Sequence, residues 1–533
     1  MRFLKSLRSL GYPLRNSGAA ADWVSSLTAT DAQAIAKRTL ELALRFVEPG
    51  RQIGPHQVEA LLRIDARLEP VIIELTQEYT ANYRKGTEVE LRLWHQVFDL
   101  VKAFAAAYQA ALKIGYPRAD DRHWRAILPW VLVRLAYYKG QDGKFRLFRY
   151  SRWIPAQWRE LHELYEFARM RGWQREQLVL GAATFSRPGI CVEQEYLQTL
   201  LLMRLDSGNF TADQVEWIAR QLEDWSPSLA LVPPPGSGAG FLVDLTSSEG
   251  LRRHDGPNAG GRVLFLDVAP VYARIVERMR WLPEHEEAPK PGELPVRERR
   301  LLLTRLAALF GPDALAITPR AERYGVDTEV RVVFGLEPLC YAIGETEAVA
   351  VDPVDAAAAG RGRDARRVEP AGYADVPPSR VGGEVWTMAD ASETGCRLTA
   401  RMTEAPARLG EVLAIRDGAG WSLGIVRRLQ RTESDDVSLG VELIARRPVP
   451  VLLRTWTGGG AGRPFLGVYL PAPPDHRQAA QRSLIGPGDK LVAGEMIEFD
   501  TGKARYLIRF TRTLEQQVGW SWVLFSAVRN LGA

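Results

Sequence analysis

The residues with the most chemical promise sit in one short run, Trp386-Thr-Met-Ala-Asp390-Ala-Ser392-Glu-Thr-Gly395-Cys-Arg-Leu398. Asp and Ser hydrogen-bond locally to backbone and favour turns, and Gly permits a positive φ. An apolar approach, a polar turn and a resumed apolar segment describe two strands joined at a sheet rim. Such a rim holds a carboxylate, a hydroxyl and backbone N–H groups; the same pattern also describes an ordinary turn. Cationic partners are available upstream. Arg320 and Arg323 stand just before an alternating strand at Glu329–Leu336, and Arg363 and Arg367 lie farther on. The guanidinium fork suits bidentate recognition of an anion.

Other chemistries find little footing. The chain has no Gly-x-Ser-x-Gly elbow, no His-Glu-x-x-His and no Gly-Lys-Ser/Thr phosphate loop, and Gly486-Pro-Gly-Asp-Lys490 lacks the required spacing. No catalytic residue, no metal site and no cofactor is therefore expected. Cys191, Cys340 and Cys396 are far apart and read as reduced packing residues of a cytoplasmic protein. His95, His123 and His162 have no second His three or four residues away, so a zinc site is not expected. The Gly236-x-Gly238-x-Gly240 set precedes a strand-like segment, whereas a dinucleotide fingerprint follows a strand and opens a helix.

At 533 residues the chain is too long for one typical core. Its 46% hydrophobic and 25% charged content are those of a soluble globular protein, and 15 tryptophans imply several substantial cores or aromatic platforms. A net charge of +5 fits an anionic small ligand, a membrane surface or nucleic acid. Nucleic acid is disfavoured, because the arginines are scattered and balanced by 64 acidic residues. No uncharged apolar run is long enough for a transmembrane helix. The segment from Met1 to Arg8 lacks the apolar core of a secretory signal and reads as a frayed tail or a short basic amphipathic helix.

The elements that must position these residues fall into blocks. Residues 22–225 read as an all-α region of helical hairpins. Thr30-x-x-Gln33 reads as a capping box, and a second helix from Pro55 turns Val58, Leu61, Leu62, Leu68, Leu75 and Tyr79 inward, with Pro70 placed to kink it. A third, from Glu88, carries Leu91, Trp94, Phe98, Val101 and Phe104. Asp120 and Asp121 can cap a fourth, and Pro155 starts a fifth. Two more are expected at Glu193–Leu205 and Ala212–Leu222. Residues 226–240 read as a linker and 241–283 as a small mixed α/β segment. Residues 345–382 are rich in Ala, Gly, Pro and Arg and read as a disordered insertion. Short strands with turn punctuation then indicate a closed antiparallel barrel. Residues 449–527 continue in strands, as a second β unit or an extension of the first.

On these residues the segment 297–447 resembles the PilZ domain family. Asp390-x-Ser392-x-x-Gly395 matches that family's Asp/Asn-x-Ser-x-x-Gly motif. Downstream, Gly410-x-Val412, the run Trp421–Arg428 and Leu439-Gly440-Val-Glu-Leu443 look like its later strands. The family's Arg-x-x-x-Arg element precedes its first strand; Arg320-Ala-Glu-Arg323 has that position with arginines one residue closer, and Arg363–Arg367 has the spacing but lies in the insertion. The resemblance implies a six-stranded barrel that binds cyclic di-GMP without catalysis in bacteria. It implies a ligand site of Arg320, Arg323, Asp390, Ser392 and Gly395, with Asp390 accepting from a guanine edge, Ser392 contacting phosphate or fixing the turn, and Gly395 allowing close approach. The expected fold class is multidomain α+β: a helical region, a PilZ-like barrel and a C-terminal β-rich unit. The helical region would dock an unidentified protein partner. The alternative is a scaffold whose degenerate barrel works without ligand.

Overall fold

The computed structural model describes residues 12–27, 31–83, 88–178, 190–205, 207–234, 240–254, 262–283, 293–311, 322–346, 383–401, 407–431, 436–456, 461–471, 482–492, 494–500, 505–517 and 519–532. The chain divides into two compact units, Met1–Thr318 and Pro319–Ala533.

The first unit opens with eight described α-helices: α1 (Ser17–Ser25), α2 (Ala32–Phe46), α3 (Pro55–Tyr83), α4 (Glu88–Gly115), α5 (Arg122–Phe148), α6 (Pro155–Met170), α7 (Val192–Met203) and α8 (Ala212–Trp225). Their starts follow capping chemistry. Asp121 caps α5 by accepting from the His123 and Trp124 amides. Asp31, not Thr30, is the cap of α2, with its carboxylate 2.7 Å from the Ala34 amide; Thr30 itself lies outside the described residues. All six residues expected inward on α3 are buried, and the helix runs on through Pro70. On α4 the expected Phe98, Val101 and Phe104 are buried and Trp94 is partly so; Leu91 is exposed, and Leu93 and Val97 join the buried face.

Helix α5 is buried over most of its length and forms the centre of the unit. It packs against α4 and α7, while α1 lies on α3 and α2 on α4, so contacts skip along the chain as well as joining neighbours. At its middle Arg134 forks Asp65 of α3, Nε to Oδ2 and Nη2 to Oδ1, both at 2.7 Å, and reaches Glu69 with Nη1 at 2.8 Å. The Tyr138 hydroxyl donates to the same Asp65 carboxylate at 2.6 Å, as does that of Tyr108 at 2.5 Å. These charges are buried, and they stand there only because each finds partners.

The segment after α8 completes this unit. Strands β1 (Leu231–Val232), β2 (Phe241–Asp244), β3 (Arg252–Arg253) and β4 (Val263–Leu266) form an antiparallel sheet in the order β1-β4-β2-β3. Helices α9 (Ala269–Arg280) and α10 (Val296–Phe310) follow and pack on each other. Phe241, Val271, Leu302 and Phe310 share one apolar core with the helices. Thus residues 297–310, the head of the segment that resembles the PilZ family, form a helix in the core of the first unit.

The second unit contains two closed antiparallel barrels. The first comprises β5 (Tyr324–Phe334), β6 (Glu384–Ala391), β7 (Gly395–Arg401), β8 (Val412–Asp417), β9 (Gly420–Arg431) and β10 (Asp436–Arg446), closed in the order β10-β7-β6-β5-β8-β9. The second comprises β11 (Val449–Trp456), β12 (Ala461–Leu470), β13 (Ser483–Gly486), β14 (Met496–Asp500), β15 (Arg505–Gln517) and β16 (Trp520–Gly532), closed as β11-β12-β13-β16-β15-β14. Closure removes sheet edges in both. A helix absent from the sequence reading, α11 (Leu336–Thr346), follows β5. Gly335, at φ 85°, ends the strand earlier than the expected Leu336. On α11, Leu339, Cys340 and Ile343 are buried among Val412, Trp421 and Ile425 of the first barrel and Val468, Leu470 and Trp520 of the second. The two barrels therefore share a core. The remainder of the expected insertion, 347–382, including Arg363 and Arg367, lies outside the described residues.

Candidate functional site

The hairpin joining β6 to β7 carries the motif. Its ladder pairs Ala391 with Cys396 and Asp390 with Arg397, so the four residues Ser392–Gly395 form the connection. Ser392 is buried. Its hydroxyl donates to the Gly395 carbonyl at 3.0 Å, and its amide donates to the same oxygen at 2.7 Å. Of the two expected roles for Ser392, fixing the turn is the one this geometry fills. The Leu443 amide donates to Thr394 O at 3.0 Å and ties the turn to β10. Gly395 does not have a positive φ; it is required by packing, because a Cβ there would stand 2.6 Å from the Val441 carbonyl oxygen.

Asp390 lies on the outer face of this hairpin. Paired residues of an antiparallel ladder share a face, and the pairs Gly325–Asp390, Asp390–Arg397, Arg397–Gly440 and Gly440–Arg428 draw one row across β5, β6, β7, β10 and β9. Just before β5, Arg323 reaches back to Asp390, Nη1 to Oδ1 at 2.8 Å. A bulge between Gly325 and Thr328, with Asp327 at φ 49°, bends the start of β5. From the opposite side Arg397 is ion-paired to Asp390, Nε to Oδ2 at 2.8 Å. Both arginines are about half exposed, at 46% and 50%, while the carboxylate is 17% exposed.

The structure thus brings Arg323 to Asp390 and keeps Ser392 and Gly395 in the same hairpin. Arg320 lies outside the described residues. Arg397 was missed by sequence reasoning. Its signal was the hairpin register: with the turn fixed at Ser392–Gly395, the residue two past the glycine must face Asp390. Next to it, burial pushes the Cys396 thiol up to about 12, the Asp390 charge adding to the effect and Arg323 opposing it, so the sulfur stays protonated and unreactive. The three charges at this rim can grip an anion or a polar heterocycle; they have no activated nucleophile beside them.

The helical unit offers a cavity of about 30 Å³ among Gln141, Lys144, Glu195 and Thr199, room for little more than water. Among the described residues no group of His, Cys, Asp and Glu is arranged to hold a metal ion, and no helix is long and apolar enough to cross a membrane.

Residues 18–235 match a family model described as the N-terminal domain of the cyclic-di-GMP receptor FimW. The FimW-like segment covers less than half of the chain. It spans α1 through α8 and falls wholly within the first unit, whereas Arg323, Asp390 and Arg397 lie in the second. No curated protein and no solved structure matches the chain.

Proposed function

We propose that the protein is a non-enzymatic bacterial receptor for cyclic di-GMP, which binds the nucleotide at the rim of its first, PilZ-like barrel and acts through a protein partner on the helical unit. One observation carries this reading: the arginine ahead of the first barrel strand lies 2.8 Å from the motif carboxylate. A hairpin bearing Asp-x-Ser-x-x-Gly between the second and third strands of a six-stranded barrel agrees with the PilZ resemblance. The FimW-like helical segment supports the same ligand from a separate part of the chain.

The chemistry fits. Cyclic di-GMP offers two phosphates and two guanines. An arginine fork meets either a phosphate or the guanine O6/N7 edge, and a carboxylate accepts from the guanine N1 and N2 donors. Asp390 is ion-paired with Arg323, so a nucleotide that takes up that guanidinium must compete with the carboxylate for it. A ligand shifts such an equilibrium only by its differential affinity for the two states. Calorimetry on the full chain tests the reading. Heat of binding that Asp390→Ala abolishes is expected; no heat at tens of micromolar nucleotide overturns it.

A second reading, a scaffold working without ligand, draws on Ser392, whose buried hydroxyl is already engaged within the turn. It expects a partner complex through residues 22–225 that forms equally well with and without nucleotide. Nucleotide-dependent capture would exclude it.

A further inference from the structure

We infer that Arg397 is the residue that selects guanine over adenine at this rim, a proposal that rests on the cyclic di-GMP reading above. Its position follows from register alone, since Asp390 and Arg397 are direct cross-strand partners on the outer face of the barrel. The ion pair at 2.8 Å holds a carboxylate and a guanidinium side by side, with Arg397 half exposed to solvent. Guanine presents two acceptors, O6 and N7, on one edge and donors at N1 and N2 on the adjoining edge. A carboxylate beside a guanidinium matches both edges at once. Adenine carries an amino donor in place of O6 and would turn it toward the guanidinium.

The residues that flank the pair in the row are glycines. Gly325 precedes Asp390 and Gly440 follows Arg397. A Cβ at Gly325 would meet open space, whereas the Arg428 side chain lies against Gly440, 3.0 Å from where its Cβ would stand. A flat base can therefore approach the charged pair from the Gly325 side without displacing a side chain of that strand. Arg323, on the other carboxylate oxygen, is left to serve a phosphate. Arg397 thus supplies a second guanidinium beside Arg323 at the same carboxylate.

The test is calorimetric titration of the full chain and of its Arg397→Lys and Arg397→Ala variants with cyclic di-GMP and, by competition, cyclic di-AMP. Lysine keeps the charge beside Asp390 but not the fork. The expected result is a loss of cyclic di-GMP affinity in both variants of roughly 5- to 150-fold, the span of one bidentate base contact. Affinity for cyclic di-AMP stays unchanged, so the selectivity ratio falls. Unchanged selectivity in Arg397→Lys, or equal weakening toward both nucleotides, overturns the role of Arg397 while leaving cyclic di-GMP binding in place. Absence of binding to the unaltered protein overturns the receptor reading and this inference together.

Discussion

Arg427 on β9 and Glu515 on β15 face each other as a matched fork, Nη1 to Oε1 and Nη2 to Oε2, both at 2.6 Å. The same guanidinium donates from Nε to Glu442 on β10 at 2.6 Å. A bulge makes this possible. Gly440 pairs with Arg428 and Val441 with Val426, so Arg427 is the extra residue of β9 and its side chain is re-aimed toward the second barrel. Burial disfavours the charged guanidinium, but Glu515 and Glu442 outweigh it and raise the Arg427 pKa. Glu442 in turn pairs across the ladder with Gly395 of the motif hairpin. The second barrel is therefore tied by charge to the strand that backs the candidate site.

That tie is measurable. Arg427→Met and Glu515→Gln, alone and together, should show a coupling of about 1 kcal/mol, the upper part of the range for partly exposed pairs, because the geometry is bidentate. The coupling should shrink at high salt. Urea unfolding followed by tryptophan fluorescence provides the cycle. Strict additivity of the two substitutions would mean the fork contributes nothing.

Gly395 makes a steric prediction independent of any ligand. An added methyl would meet the Val441 carbonyl oxygen at 2.6 Å, a backbone atom that cannot swing aside. Gly395→Ala should cost about 1–3 kcal/mol, as overpacking usually does. Gly418→Ala, with open space around its Cβ, is the matched control and should be near neutral. Equal unfolding midpoints for the two variants would contradict the packing argument.

Much of the fold was legible because local rules and tertiary packing agreed. The α3 core face and the Asp121 cap follow from helical period and side-chain chemistry, and the structure keeps both. The motif hairpin was legible for the same reason. What escaped needed longer-range information. Leu336, Leu339, Cys340 and Ile343 have helical spacing, but α11 directly follows a strand and is short, so only its first residue, Leu336, read as part of an element, the end of β5. Strand β13 has only four residues, Ser483–Gly486, too few for alternation to register. Leu91 has the same spacing as the buried Phe98, Val101 and Phe104, yet near the start of α4 it is Leu93 that faces the core. Arg397 and Arg427 look like any surface arginine until the ladder and its bulge are known. Arg134, in the apolar middle of α5, needed Asp65 and Glu69 from 65 and more residues away.

The Arg134 network gives the largest expected effect on stability. Asp65 accepts from Arg134 and from the Tyr108 and Tyr138 hydroxyls, and all four side chains are buried. Asp65→Ala leaves a guanidinium and two hydroxyls without their acceptor, and the usual cost of breaking a buried pair is about 3–5 kcal/mol. Replacing the whole set together, Asp65→Leu, Glu69→Leu, Arg134→Met, Tyr108→Phe and Tyr138→Phe, should recover much of that, since apolar groups of similar volume can stand in for a buried ionic network. Thermal unfolding of the three proteins decides it. A combined variant no more stable than Asp65→Ala would show that the network contributes more than its own desolvation.

His162 should give the helical unit a pH-dependent stability of defined sign. Its Nε2 lies 2.8 Å from the Glu249 carbonyl oxygen, which can only accept, so Nε2 carries the proton. Nδ1 then accepts from the Tyr196 hydroxyl at 2.6 Å, and the neutral ring is satisfied on both sides. Burial lowers the His162 pKa below its ordinary value, with the Glu249 carbonyl and Asp244 opposing in part. The unfolded chain therefore takes up a proton first as pH falls. The stabilising contribution is complete above about pH 6.5, the unperturbed histidine value, and is lost progressively as pH drops through the folded value. Replacing the ring by a group that does not titrate removes this slope. The melting temperature of the unaltered protein should fall faster between about pH 7.5 and 5.5 than that of His162→Gln, each compared with its own value at the upper pH. Parallel curves would mean that the ring has the same proton affinity in both states, contrary to its burial between Tyr196 and Trp158.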